Sequence, residues 1–445
     1  MSNFITGVHP QESKYTSQIK IEEMPLPKKV VLPLLQHTGA PSKPIVKIGD
    51  SVKTGQLIAE SAGFISANLH SSISGKISAI ENRIHPNRSN FESIIIDSDD
   101  KDESINFISH DPEKLSPSEL VEIIKNAGIV GLGGAAFPTH VKLSPPSTES
   151  KKKIDTVILN GCECEPYLTC DHRVMVEETK KIVGGLKLIM KILDVQNSFI
   201  AIEDNKKDAI EKFNNVITSS DEIETKWFQT NKIKVIKLKT KYPQGAEKQL
   251  IKATLKREVP SGKLPMDVGC VVQNVQTAKA IYEAVYEGKP LYERIITVAG
   301  GVKRPCNLKV RVGTSLSEII DYCGGFAGEV KKVIAGGPMM GITQFTLDVP
   351  VVKDFSGIVA LTEIKDYEPS NCIRCGKCVD TCPMGLVPTI ISRLVEKEKY
   401  DELKNYNLLD CMECGCCAFE CPAKIHLVQN IKLAKIVMKT DKVKS

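Results

Sequence analysis

Two copies of Cys-x₂-Cys-x₂-Cys-x₃-Cys-Pro stand near the end of the chain. The first is Cys372, Cys375, Cys378 and Cys382 before Pro383; the second is Cys411, Cys414, Cys417 and Cys421 before Pro422. Eight thiolates at this spacing are what two [4Fe–4S] clusters need. Three cysteines of a tight loop grip one face of a cube, and a fourth closes it. Where two such runs share a domain, the fourth cysteine of each ligates the other cluster. The expected sets are therefore Cys372, Cys375 and Cys378 with Cys421, and Cys411, Cys414 and Cys417 with Cys382. Zinc sites pair two Cys-x₂-Cys knuckles and rarely carry the x₃-Cys-Pro ending. Cys416 falls out of this register and is expected to be a spectator.

A second chemical signal lies upstream. Gly131-Leu-Gly133-Gly134-Ala-Ala136-Phe137-Pro-Thr139 fits the loose pattern G-x-G-x-x-G/A. It follows a helical pattern rather than a strand, so the ordinary dinucleotide reading is rejected. The physics of the loop survives: glycines let backbone N–H groups approach a phosphate or a flat ring. Lys142 stands close enough in sequence to meet that phosphate. Three further segments end predicted strands. Thr156–Leu159 runs into Asn160-Gly-Cys-Glu163-Cys-Glu165-Pro166. Ile233–Leu238 is followed by Tyr242-Pro-Gln-Gly245-Ala-Glu247. Val271-Val272 runs into Gln273-Asn274. Ligands of open α/β sheets sit at the carboxyl ends of strands, so these polar groups are expected to converge with the glycine loop. Cys162, Cys164 and Cys170 are not at cluster spacing and stay unassigned.

The elements that would position these residues follow from periodicity. Residues 30–100 read as short strands punctuated by glycine. Ile48–Gln56 and His70–Lys76 resemble a lipoyl or biotinyl carrier fold, a barrel-like sandwich. The hairpin that carries the modified lysine in such carriers is here Glu60–Ser66 and has no lysine. The fold is expected without the prosthetic group. His37 and His70 are expected to be polar turn residues at the surface. Ser116-Pro-Ser-Glu119 is a capping box opening a helix with one apolar face, stopped by Gly128. Helical and strand patterns alternate from Ile182 to Leu238, as a wound α/β domain requires. Residues 293–341 form a compact α+β module in which Cys306 and Cys323 are ordinary core or loop residues. The cluster region is expected to be mostly helical. Residues 144–153 read as a surface loop and the lysine-bearing tail as a solvated helix.

The expected units are an N-terminal segment 1–29, the sandwich 30–105, the wound domain 115–290, the small module 291–345, a linker 346–368, the cluster domain 369–430 and the tail 431–445. The chain has 445 residues and a formal net charge of +5, too small to argue for nucleic acid. No secretory signal opens the sequence, and cluster spacing in such a chain reads as a reducing cytosol. No apolar run reaches the roughly 18 residues that a membrane span needs.

The order of these parts resembles the RnfC family, a component of the Rnf electron-transport complexes, over essentially the whole chain. The middle is also similar to the NADH-oxidising flavoprotein of respiratory complex I. The resemblance implies a multidomain α/β and α+β fold: lipoyl-like barrel-sandwich domain, wound α/β FMN-binding domain, β-grasp-type (SLBB) module and ferredoxin-like two-cluster domain. It implies FMN and NAD(H) bound by one wound domain. Gly131, Gly133, Gly134, Phe137 and Lys142 match the flavin-phosphate and ring-contacting loop. Asn160, Glu163 and Glu165 match the acidic segment near the isoalloxazine and nicotinamide. Tyr242, Gly245 and Glu247 match a second cofactor loop, and Gln273, Asn274 and Thr277 a third. Glu163 and Glu247 are the implied catalytic contacts, to nicotinamide or ribose. Leu132, Ala246 and Gln273 depart from the complex I pattern.

A nicotinamide gives up two electrons as hydride and a cluster takes one; a flavin is the usual converter. The implied setting is the cytoplasmic face of a membrane complex that couples ferredoxin oxidation and NAD⁺ reduction to ion pumping. Integral membrane and ferredoxin-like subunits would be its partners, and ferredoxin an indirect one. A non-catalytic iron–sulfur relay and a soluble flavin–iron–sulfur dehydrogenase remain the alternatives.

Overall fold

The computed structural model describes residues 6–87, 90–145, 153–219, 233–364 and 367–444. The expected surface loop at 144–153 therefore lies largely outside the described residues. The chain opens with a strap that runs over three later units and includes β1 (Ile21–Glu23). The sandwich follows, with β2 (Lys29–Pro33), β3 (Lys43–Pro44), β4 (Ser51–Val52), β5 (Leu57–Glu60), β6 (Leu69–His70), β7 (Gly75–Ile84) and β8 (Asn90–Ser98). One sheet has the order β2-β8-β7-β4 and the other β3-β5-β6. Val30, Leu32, Ile58, Ile73, Ile77, Ile94 and Ile96 fill the space between them. His37 and His70 are both buried in this unit, which corrects their expected surface placement. His37 is held inside by the Ala40 carbonyl at 2.9 Å and the Ser66 hydroxyl at 3.2 Å, and His70 is a residue of β6 rather than of a turn.

The wound domain begins with α1 (Pro117–Asn126). Its capping box forms as the sequence reads: Glu119 N donates to Ser116 Oγ at 3.3 Å and Ser116 N to Glu119 Oε2 at 2.7 Å. The glycine loop leads into α2 (Thr139–Lys142). Then come β9 (Thr156–Gly161), α3 (Cys170–Glu177), α4 (Thr179–Leu193), β10 (Asn197–Glu203), α5 (Lys207–Thr218), β11 (Ile233–Leu238), α6 (Glu247–Leu255), β12 (Cys270–Asn274) and α7 (Val275–Tyr286). The sheet order is β11-β10-β9-β12, with every pairing parallel. Such strands are covered on both faces and read as unbroken apolar runs. Val157 and Leu159 of β9 join the core under α1, α4 and α7, while Ile158 joins the core under α6. Helices α4 and α7 approach closely because Gly185 has no Cβ; one placed there would stand 1.8 Å from Ala278 O.

The third unit holds β13 (Glu293–Gly300), β14 (Cys306–Arg311), α8 (Leu316–Tyr322), β15 (Lys332–Ala335), β16 (Ile342–Gln344) and β17 (Gly357–Leu361). They form one sheet with the order β1-β14-β13-β17-β15-β16. This corrects two expected boundaries. The stretch 346–368 is no plain linker, because β17 pairs with both β13 and β15 inside the sheet. The segment 1–29 is not separate either, because β1 supplies an edge strand.

The cluster domain consists of α9 (Lys377–Asp380), α10 (Pro388–Glu396), α11 (Cys416–Glu420) and α12 (Leu427–Lys444), with short 3₁₀ turns between. No strand occurs among its described residues, 367–444. Ile391, Val395, Leu403, Leu408, Ile431 and Ala434 form its core. The lysine-bearing tail continues α12, as its helical pattern requires.

Candidate functional site

The carboxyl ends of β9, β11 and β12 bring three polar segments against the glycine loop. Asn274 caps α7, its Oδ1 accepting from Gln276 N at 2.7 Å. Its amide lies where Gly133 has no side chain: a Cβ there would stand 2.5 Å from Asn274 Nδ2. Thr277, one turn along α7, accepts from Leu132 N at 3.0 Å through its hydroxyl. Asn160 Nδ2 donates to Gly245 O at 2.8 Å, tying the first segment to the second. Lys142 Nζ donates to Glu247 Oε1 at 2.8 Å and to Val272 O at 3.0 Å. The expected phosphate contact and the expected nicotinamide contact are thus ion-paired with each other.

The acidic loop after β9 departs from expectation. Glu163 sits at φ 47°, and its carboxylate accepts from Asp171 N at 2.7 Å and His172 N at 3.2 Å. It caps α3, where a negative charge meets unpaired backbone N–H groups, rather than standing free for a nicotinamide. Glu165 reaches the third unit, accepting from Met339 N at 3.0 Å and Met340 N at 2.8 Å. Burial pushes its carboxyl up to about 7, against the pull of those two N–H groups. Tyr242 is also corrected. It is buried, and its hydroxyl donates to Cys414 O at 2.7 Å. The ring belongs to the junction with the cluster domain and not to an open cofactor groove.

The sequence reading missed the groups that hold this architecture from below. Lys14, on the N-terminal strap, is half-buried and donates to Glu163 O, Glu165 O and Leu168 O at 2.7, 2.8 and 2.5 Å. It holds a loop in which Glu163 and Tyr167 both have positive φ. Arg294 of β13 donates to Leu132 O at 3.1 Å and to Gln276 Oε1 at 3.0 Å. Gln276 and Asn274 in turn donate to Asp171. Burial, followed by the Glu163 charge, pushes the Asp171 carboxyl up to about 6. A lone lysine or a strand arginine leaves no local pattern, so no sequence signal pointed to either.

The residues fit FMN on two structural grounds. Gly133, Gly134 and Ala135 are exposed, and nothing stands within 4 Å of the position that a Cβ on Gly134 would take. Both amide atoms of Gln244 and Nε2 of Gln273 are buried without a hydrogen-bond partner at the strand ends. Buried polar groups are rarely left so unless a ligand or water completes them.

The two cysteine loops repeat each other. Arg374 N donates to Cys372 Sγ and Glu413 N to Cys411 Sγ, each at 3.4 Å. Arg374 and Glu413 take φ 58° and 59°, and Gly376 and Gly415 take φ 78° and 83°. Cys382 lines an apolar pocket with Cys411, Cys414, Cys416 and Cys417. Burial pushes the Cys417 thiol up to about 12, with Cys414, Cys411 and Cys382 adding to the rise. Burial also raises Cys378, with Cys421 and Cys372 adding. Cys382 thus stands with the second loop and Cys421 beside Cys378, a crossing between the two motifs that two [4Fe–4S] clusters would use. Cys416 is fully buried, its Sγ 4.0 Å from Tyr242 O. Cys162 and Cys170 point at backbone carbonyls, and Cys164 Sγ accepts from Gly245 N at 3.4 Å.

Comparison with known proteins agrees unit by unit. Residues 2–101 match the model of the RnfC barrel sandwich hybrid domain, and 124–283 that of the Nuo51 FMN-binding domain. Residues 295–343 match an SLBB domain and 364–422 a 4Fe-4S dicluster domain. The RnfC protein of the proton-translocating ferredoxin:NAD(+) oxidoreductase complex of Clostridium ljungdahlii is 50% identical, over 90% of this chain and 86% of that one. The chain belongs to the RnfC family. A further relative, from the Na(+)-translocating ferredoxin:NAD(+) oxidoreductase complex of Acetobacterium woodii, is 47% identical over 97% of this chain and 96% of that one. Among solved structures, an NAD+-reducing [NiFe]-hydrogenase in its H2-reduced state shares the fold, with a TM-score of 0.53 and 16% identity. That likeness covers 72% of this chain and 62% of the other. This RnfC chain joins an FMN-binding domain to a dicluster domain, and no helix among the described residues is long and apolar enough to cross a membrane.

Proposed function

We propose that this chain is the NAD(H)-reactive peripheral subunit of an ion-translocating ferredoxin:NAD⁺ oxidoreductase complex, seated on the cytoplasmic face of the cell membrane. FMN supplies the conversion between hydride and single-electron chemistry, and the two clusters supply one-electron storage. Gly131, Gly133, Gly134 and Phe137 would receive the flavin over exposed backbone, with Asn160, Gln273 and Asn274 around it. Thr277 and Arg294 fix the glycine loop. The ion pair Lys142–Glu247 would open toward a phosphate and a nicotinamide or ribose hydroxyl respectively. Ion pumping falls to the membrane partners, because no helix among the described residues is long and apolar enough to cross a membrane.

The observation that carries this reading is the continuity of the two redox units. Gln249 of α6 donates to Pro383 O at 3.0 Å, and Gly7 N donates to Thr381 O at 3.0 Å. The wound domain thereby borders the pocket of Cys382, Cys411, Cys414 and Cys417. Cys372 and Cys375 lie exposed on the other loop. The near set would exchange electrons with the flavin site, and the exposed set with the next protein.

The deciding experiment is bleaching of bound flavin by NADH in the full chain carrying FMN and both clusters. A bleached flavin band followed by loss of cluster absorbance is expected. An unbleached flavin in protein with full iron content would remove the NAD(H) assignment. Gly133→Val should abolish flavin retention while cluster absorbance persists, because its Cβ would overlap Asn274.

A further inference from the structure

The turn between β5 and β6 occupies the place where a carrier-type sandwich presents its modified lysine, and Glu60–Ser66 has none. The turn is nevertheless built with care. Ser66 Oγ donates to Ala40 O at 2.9 Å and accepts from Ala62 N at 3.1 Å. Ser61 N donates to Asn68 Oδ1 at 2.9 Å, and Ala40 N to Ile65 O at 2.9 Å. The adjoining loop is fastened to the glycine loop of the wound domain. Thr38 N donates to Ala136 O at 3.2 Å and Thr38 Oγ1 to Ala135 O at 2.6 Å.

This scaffold holds Gly63-Phe64-Ile65 beside the glycine loop, yet Phe64 is 74% exposed. A phenyl ring kept in water on a fixed backbone forgoes the stabilisation that burial would bring. Beside it the backbone of Gly133–Ala135 is also exposed. We propose that Phe64 is an aromatic wall for the adenine end of NAD(H), outside the polar strand ends that receive the nicotinamide end. The inference rests on the NAD(H) reading above. FMN carries no adenine, so such a wall serves the dinucleotide and not the flavin. Adenine offers a flat π face, and aromatic side chains stack on bases whatever their hydrogen-bonding edge.

The test uses Phe64→Ala and Phe64→Trp in the full chain with FMN and clusters. ADP-ribose, which lacks the nicotinamide, is titrated calorimetrically. NADH is compared with reduced nicotinamide mononucleotide, which lacks the adenosine. Phe64→Ala should weaken ADP-ribose and raise the NADH KM about tenfold, as loss of one base–aromatic stack implies. Its kcat and its KM for the mononucleotide should stay within twofold, and Phe64→Trp should bind ADP-ribose as the parent does. An unchanged ADP-ribose affinity, or an equal loss with the mononucleotide, overturns the wall. So does loss of association with membrane partners at unchanged nucleotide affinity, which would assign the ring to a protein interface. A parent chain that NADH does not reduce would remove the underlying function instead, a result the bleaching experiment reports separately.

Discussion

The Tyr242 hydroxyl donates a hydrogen bond to the Cys414 carbonyl oxygen at 2.7 Å. Tyr242 follows β11 of the wound domain, and Cys414 lies in the second cysteine loop. Val8 of the strap pairs with Tyr242 on its backbone side, N to O in both directions at 2.8 and 3.0 Å. Tyr242 thus ties the two units together, alongside the Gln249–Pro383 bond. Tyr242→Phe leaves the Cys414 carbonyl buried without its donor, at a cost of about 1–3 kcal/mol. Stopped-flow spectra should show NADH-driven cluster reduction slowed severalfold, with flavin bleaching within twofold of the parent. Equal rates in both phases would show that the junction does not gate transfer.

The crossed thiol grouping predicts iron content. Cys382→Ser and Cys411→Ser act on one cluster, Cys372→Ser and Cys421→Ser on the other. Each single variant should fall from about eight irons per chain to about four. The pair Cys382→Ser/Cys411→Ser should stay at about four, whereas Cys382→Ser/Cys372→Ser should fall to near zero. The reverse pattern would mean that each motif holds its own cluster.

Lys14 satisfies three carbonyls of the loop 163–168 from a strap far away in sequence. Lys14→Met strands those acceptors, at about 2–3 kcal/mol. Amide exchange across 163–168 should rise by one to two orders of magnitude while cluster absorbance holds. Lys14→Arg should not restore protection, because a planar fork cannot converge on three carbonyls as an ammonium can. Unchanged exchange in Lys14→Met would mean that the loop keeps its shape unaided.

Lys353 ends in a carbonyl cage, its Nζ 2.7 Å from Asn68 O and 2.8 Å from Gly128 O. Burial lowers its ammonium to about 7. The unfolded chain then binds that proton more tightly than the folded one. Stability should rise as pH goes from about 7 toward 10, with a slope of at most about 1.4 kcal/mol per pH unit. Urea unfolding at pH 7 and 9 should show the rise in the parent, and Lys353→Met should flatten it. An equal slope in that variant would place the linkage elsewhere.

Local chemistry made much of the molecule readable in advance. The Ser116–Glu119 box names a helix start because both of its hydrogen bonds close within one turn. Thr156–Leu159 names a buried strand because its apolar run is unbroken, and the cysteine runs name clusters because spacing sets ligand geometry. What stayed hidden depends on partners distant in sequence. Gly357–Leu361 reads as a short apolar stretch between Pro350 and Pro369, and only β13 and β15 make it a central strand. Glu163 and Glu165 read as free acids because nothing nearby shows that α3 and the Met339–Met340 backbone claim them. Histidine habits placed His37 and His70 outside, whereas Ala40 and Ser66 hold the first inside and strand β6 carries the second.

Pairing of Ile21–Glu23 with Asn307–Lys309 joins an early segment to one made far later. At cellular rates of about 5–20 residues per second, the ribosome needs tens of seconds to bridge that gap. During that interval the sandwich can close, but the strap has nothing to hold. Lys14 cannot grip its loop, and Val8 cannot meet Tyr242 in a finished junction. Assembly of the redox units is thus a late event in translation, and nascent chains stalled before the sheet of the third unit should carry their amino-terminal residues open to protease.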